Sequence, residues 1–146
     1  MKSILALTPV FLSAVSAAAI EKRQVTQFDV TNFVAGCTTA GTCSWSFEFA
    51  ETPGGPSFSC AGTAPAAQPG NIFPTTSGTH ACSDPAVNFF FQHIAPLSSY
   101  RIVVNDVRTV PGIGGSHAFA ASEFSSASGA EQYVGTGSFT IVLPNP

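Results

Sequence analysis

The chain has 146 residues, of which 9% are charged and thirteen are phenylalanine, and its formal net charge is −3. That length fits one domain, and a charge content far below the roughly 25% of average globular proteins excludes a disordered or coiled-coil chain. The phenylalanines are enough to fill a real core.

Taken in chain order, the first element reads as a secretory leader. Lys2 supplies a positive start, Ile4 to Val15 an apolar run, and Ser16-Ala17-Ala18-Ala19 the small residues of a cleavage site. The run carries Pro9 and falls short of the ~20 apolar residues a bilayer span needs, and no second such stretch follows. The reading is a signal peptide over 1–19 rather than a membrane helix. A short pro-segment over 20–23 ends in the dibasic pair Lys22-Arg23, which resembles a kexin-type processing site of fungal secreted proteins. The secreted domain is then expected to run from Gln24 to Pro146.

Lys2, Lys22 and Arg23 leave with the leader. Arg101 and Arg108 remain against seven acids, a balance of −5 with no lysine. Nucleic acid binding needs several cations along a groove, and anionic lipid attracts basic segments, so neither nucleic acid nor a membrane surface is expected as a partner. Four cysteines follow: Cys37, Cys43, Cys60 and Cys82. An even number behind a secretory leader reads as two disulfides and a secreted, extracellular protein. Three connectivities are open. Proximity and turn chemistry favour Cys37–Cys43 and Cys60–Cys82. A zinc site is disfavoured because no Cys-x-x-Cys or paired-histidine spacing occurs.

From Gln24 onward the apolar pattern has a period of two. Phe28 and Val30 mark a first strand. The segment Cys43 to Phe49 alternates strictly, with Cys43, Trp45, Phe47 and Phe49 toward the core and Glu48 toward solvent. Phe58 to Cys60 reads as a short strand, and Val87 to His93, Tyr100 to Val107, Ala118 to Phe124 and Ser138 to Leu143 as four more. Turn clusters separate them at Pro53-Gly54-Gly55-Pro56, Pro65 to Gly78 and Pro111 to Gly115. Two leucines and no lysine or methionine leave little to drive a helix. The expectation is a single all-β domain, an antiparallel sandwich or barrel of about seven strands with two disulfides.

Catalytic patterns do not emerge. His80, His93 and His117 are scattered and show no metal-ligand spacing. Gly114-Gly115-Ser116-His117 has the wrong order for a nucleophile elbow. Glu48 lies on the polar face of a strand, while Glu51, Glu123 and Glu131 fall at strand ends or loops, with no sign of a paired-carboxylate cleft. No enzyme activity, cofactor or metal is expected. Among the flat aromatics, Trp45 reads as core, which leaves Tyr100 and Tyr133 for any carbohydrate. In Phe89-Phe90-Phe91, the outer two share one face and Phe90 points to the other. Phe90 is therefore a candidate interface residue, to be covered by a loop, a ligand or another chain. With no cysteine left over, the protein is expected to be a monomer or a non-covalent dimer.

Three features recur together: a Phe-x-Phe strand after a cysteine-bounded loop, an aromatic strand after a second cysteine, and Tyr133-Val134-Gly135-Thr136-Gly137-Ser138-Phe139-Thr140-Ile141 preceded by Ala121-Ser122-Glu123-Phe124. In these the chain resembles the fungal family that includes the major allergen of Alternaria and the hypersensitive-response-inducing elicitors. The resemblance implies a small secreted β-barrel or sandwich without enzymatic activity, with Cys60 and Cys82 matching the family's central disulfide. It implies an effector- or elicitor-like role in which the protein binds a host component, either a host protein or a small apolar ligand. The other reading is a cell-wall-associated, carbohydrate-binding or structural protein, which would need Tyr100 and Tyr133 in one exposed strip.

Overall fold

The computed structural model describes residues 24–94, 99–108, 111–127 and 129–144. The expected signal peptide and the Lys22-Arg23 processing site lie outside these residues. Ten strands follow in order: β1 (Gln27–Cys37), β2 (Thr42–Thr52), β3 (Ser57–Pro65), β4 (His80–Ala81), β5 (Val87–Ile94), β6 (Ser99–Asp106), β7 (Ile113–Phe119), β8 (Phe124–Ser125), β9 (Gln132–Tyr133) and β10 (Phe139–Val142). β4, β8 and β9 have two residues each, so the longer strands number seven, as the period-two segments predict.

All pairings are antiparallel and make two sheets. The first runs β3-β2-β1-β9-β8, with β10 also paired to β1, and the second runs β4-β5-β6-β7. β1 shifts register between Thr31 and Val34, where Asn32 adopts a left-handed conformation at φ 56°. Asparagine tolerates that region better than most residues, and the irregularity divides β1 into a stretch paired with β10 and a stretch that meets β9 at Gly36. The inner faces interdigitate through aromatic rings. Phe47 meets Phe89 edge-on at 5.0 Å, and Trp45 lies 5.5 Å from both Phe73 and Phe91. Such pairs add about 0.5–1.5 kcal/mol each beyond area burial.

The sheets do not close into a barrel, so of the two expected architectures the sandwich is the one formed. At one side Cys60 and Cys82 bridge β3 to the residue after β4, both as a disulfide and as a single antiparallel bridge, and the Ser83 N–H donates to Ser59 O at 2.7 Å. At the other side β7 and β10 belong to different sheets and meet through side chains. A Cβ on Gly115 would sit 2.6 Å from Ile141 Cγ2, so that seam needs a glycine.

This seam explains one correction. The turn expected over Pro111 to Gly115 is the start of β7 from Ile113 onward, with both glycines inside the strand. Close approach of β10, rather than chain reversal, accounts for Gly115. The strand expected over Ala118 to Phe124 stops at Phe119. A 3-10 turn over Ala121–Glu123 follows, held by Glu123 Oε2 accepting the Ala120 N–H at 2.9 Å.

Both disulfides pair as spacing favours, Cys37–Cys43 and Cys60–Cys82. The second closes a separation of 22 residues and joins the two sheets, whereas the first closes 6 residues within one hairpin. Replacing Cys60 and Cys82 together by serine is expected to lower unfolding free energy by about 3 kcal/mol in denaturant titration. The Cys37/Cys43 double variant should lose less.

Candidate functional site

Two buried acids end the strands of opposite sheets. Glu51 near the end of β2 and Asp106 at the end of β6 are 6% and 0% exposed. Glu51 does fall near a strand end, but it points inward. Arg108, just past β6, donates to Asp106 through its backbone N–H at 2.8 Å and its Nε at 2.9 Å, and its Nη2 pairs with both carboxylates. The guanidinium also lies over the Phe58 ring, 4.3 Å from its centroid. Two carboxylates facing one cation leave an excess negative charge in apolar surroundings. Burial, with Asp106 beside it, raises the Glu51 pKa to about 7. Burial also opposes ionisation of Asp106, but the hydrogen bonds from Arg108 hold that group below the ordinary carboxylate value. Divergent carboxyl pairs can serve acid–base chemistry. Here both groups are taken up by Arg108, and the cluster works as a clamp between the sheets.

The third buried acid is Glu131. It accepts the Tyr100 hydroxyl and the Phe73 N–H, the latter at 2.8 Å. Tyr100 is therefore inside, and burial raises its phenol pKa. Tyr133 is half-buried, edge-on to Phe33 at 4.9 Å, and its hydroxyl donates to Glu123 at 3.2 Å. The two tyrosines form no exposed strip, which overturns the arrangement a carbohydrate platform would need. Trp45 is core, as read. The histidines line aromatic surfaces: His93 stacks on Tyr100 at 4.7 Å, His117 on Phe139 at 4.2 Å, and His80 sits 5.2 Å from Phe89. Among the described residues no three His, Cys, Asp or Glu side chains gather as metal ligands.

The remaining candidate is the outer face of the second sheet, and pairing register arranges it in three rows. Phe90 lies opposite Val103, which lies opposite Ser116. On one side Gln92 faces Arg101 and then Ala118; on the other Asn88 faces Asn105 and then Gly114. Arg101 donates to Gln92 Oε1 through Nη2 at 2.6 Å and Nε at 3.2 Å, and Asn105 Nδ2 donates to Asn88 Oδ1 at 3.3 Å. Phe90 and Val103 are half-buried. A central apolar row thus lies between two rows whose polar groups are already oriented. At the β7 side the face falls into an open groove of about 740 Å³, walled by Val142 and Pro144. Sequence parity places Phe90, Arg101 and Asn105 on outer faces, but only the register shows which of them are neighbours.

Fold and face together define a disulfide-linked β-sandwich with one amide-framed apolar surface. Comparisons with protein-family models, with curated proteins and with solved structures find no match.

The clamp generates a pH prediction. A group whose folded pKa exceeds its unfolded value contributes stability at low pH and loses it as pH rises through the folded value. Glu51 rises from 4.5 to about 7, so the melting temperature is expected to fall as pH increases from 4.5 through 7. Asp106 acts oppositely, and its contribution disappears only below the ordinary carboxylate range. Glu51→Gln should flatten the neutral limb of the profile in calorimetry. Arg108→Ala leaves two carboxylates facing each other and should cost about 3 kcal/mol at pH 7, with partial recovery at pH 5.

Proposed function

We propose that this is a secreted, non-enzymatic binding protein of effector or elicitor type, which engages a host component through the outer face of the second sheet around Phe90. The observation that carries the reading is the three-row arrangement itself. An apolar ring at the centre of a strand surface, framed by oriented amides and a guanidinium, follows the anatomy of recognition surfaces. Two disulfides suit an oxidising compartment and, with the expected leader, support secretion. The use of Glu51, Asp106 and Glu131 in internal contacts supports binding over catalysis. The host-directed role rests on the resemblance to the Alternaria allergen and elicitor family described above. A cell-wall glycan reading is less favoured, because Tyr100 is buried.

Leaf infiltration of the purified secreted protein tests the proposal, beside a reduced and alkylated control and a Phe90→Ser variant. The folded wild type is expected to provoke a host response and both others to lose it, with the variant's melting temperature little changed. A loss of ~3 kcal/mol in the variant would instead assign Phe90 to packing, as core truncations do. Retention on chitin or glucan beads without any leaf response would favour the wall reading. Sedimentation of the same variant reports whether Phe90 also holds a non-covalent dimer.

A further inference from the structure

We propose that the groove beside Phe90 binds an amphiphilic monocarboxylic acid, with its carboxylate on Arg101 and its apolar body along Val103 and Val142; this rests on reading the protein as a binding protein and names its ligand class. Two arginines are the only strong cations from Gln24 onward. Arg108 is neutralised by Glu51 and Asp106. Arg101 has no carboxylate partner among the described residues. Gln92 holds it through two donors that share one oxygen, which leaves part of its five-donor fork free. A guanidinium fixed in this way is matched to a carboxylate, which it can take in two parallel hydrogen bonds.

The groove supplies the rest of the ligand's shape. Val142 is 71% exposed, the most exposed large apolar side chain among the described residues, and it lines the groove together with half-buried Val103. Glycines keep the floor low: a Cβ on Gly114 would meet Asn105 Oδ1 at 2.6 Å. Asn105 lies four residues from Arg101 along β6, about 13 Å at the rise of an extended strand. The groove therefore runs from the Arg101 cation past Val103, with Ser116 opposite it, to the Asn105 amide. Charge narrows the ligand further. A chain with two arginines against seven acids repels a polyanion, whereas a neutral ligand would leave Arg101 uncompensated. One carboxylate on an apolar body satisfies both conditions.

Titration of the secreted protein with sodium decanoate, followed by methyl NMR and calorimetry, tests this, with decanol and acetate as controls. Decanoate is expected to shift the Val103 and Val142 methyl signals saturably and to bind at least tenfold more tightly than either control. Arg101→Gln should lower decanoate affinity at least tenfold without changing that for decanol, and Ser116→Trp, which fills the groove from an exposed position, should abolish binding. Equal affinity for decanoate and decanol, or an unchanged Arg101→Gln variant, would overturn the proposal. Leaf infiltration separates the two readings. No saturable decanoate binding, with a host response that still depends on Phe90, ends the ligand proposal alone. Decanoate binding through Arg101 without any host response ends the effector reading alone.

Discussion

The aromatic layer between the sheets is the constraint on which the remaining structure depends. Trp45 and Phe47 from the first sheet meet Phe91 and Phe89 from the second, with Phe49 and Phe28 packed beside Phe47, all within a few per cent of full burial. Because strand side chains alternate, fixing Phe89 and Phe91 inward leaves Phe90 no choice of direction. Fixing Ile102 and Val104 does the same for Arg101, Val103 and Asn105. The composition of the outer face is thus set by sequence, but its existence as one surface is set by the core. The aromatic interior also carries a polar cost. Trp45 Nε1 and His80 Nε2 are buried with no hydrogen-bond partner among the described residues; a buried polar group left unsatisfied costs about 1–3 kcal/mol.

A two-sheet sandwich must also deal with its edges, and each boundary here is handled by different chemistry. The β3–β4 side is held covalently by Cys60–Cys82. The β7–β10 side is held by Ile141 and Leu143 packing on Gly115. The ends of β2 and β6 are joined by Arg108 and its two carboxylates. These devices respond to different conditions: reduction weakens the first, and rising pH weakens the third. The apolar seam responds to neither, so partial loosening at one boundary need not release the sandwich as a whole.

Much of this was legible in the sequence because it is local. The alternation from Cys43 to Phe49 dictates a strand wherever it lies, and of the three possible disulfide connectivities the one formed is the one that proximity and turn chemistry favour. What was hidden depends on partners distant along the chain. Gly114-Gly115 carries the same local signal whether it reverses the chain or lets a neighbouring strand approach, so the turn expected up to Gly115 covers the first residues of β7. Glu51 and Arg108 are separated by 57 residues, and no spacing rule links them. Tyr100 is different, because the signal was present. In the expected strand from Tyr100 to Val107 it shares parity with Ile102 and Val104, and that parity already argued for burial over an exposed strip.

The outer face of the second sheet stands out because the core does not account for it. Every other large aromatic side chain discussed above either fills the space between the sheets or seals its margin. Phe90 does neither, since its strand neighbours Phe89 and Phe91 supply the inward contacts. A threonine or valine at that position would satisfy the same pleat, with equal or better β-propensity on a solvated face. Arg101 poses a parallel problem: the chain has seven acids after Gln24 and places none of them on it, while Arg108 receives two. An aromatic ring and a cation without a carboxylate, adjacent on one face and unexplained by folding, are explained together if what they meet is outside the chain. That shared explanation is stronger than either residue considered alone, because the register that makes them neighbours is fixed independently by the core.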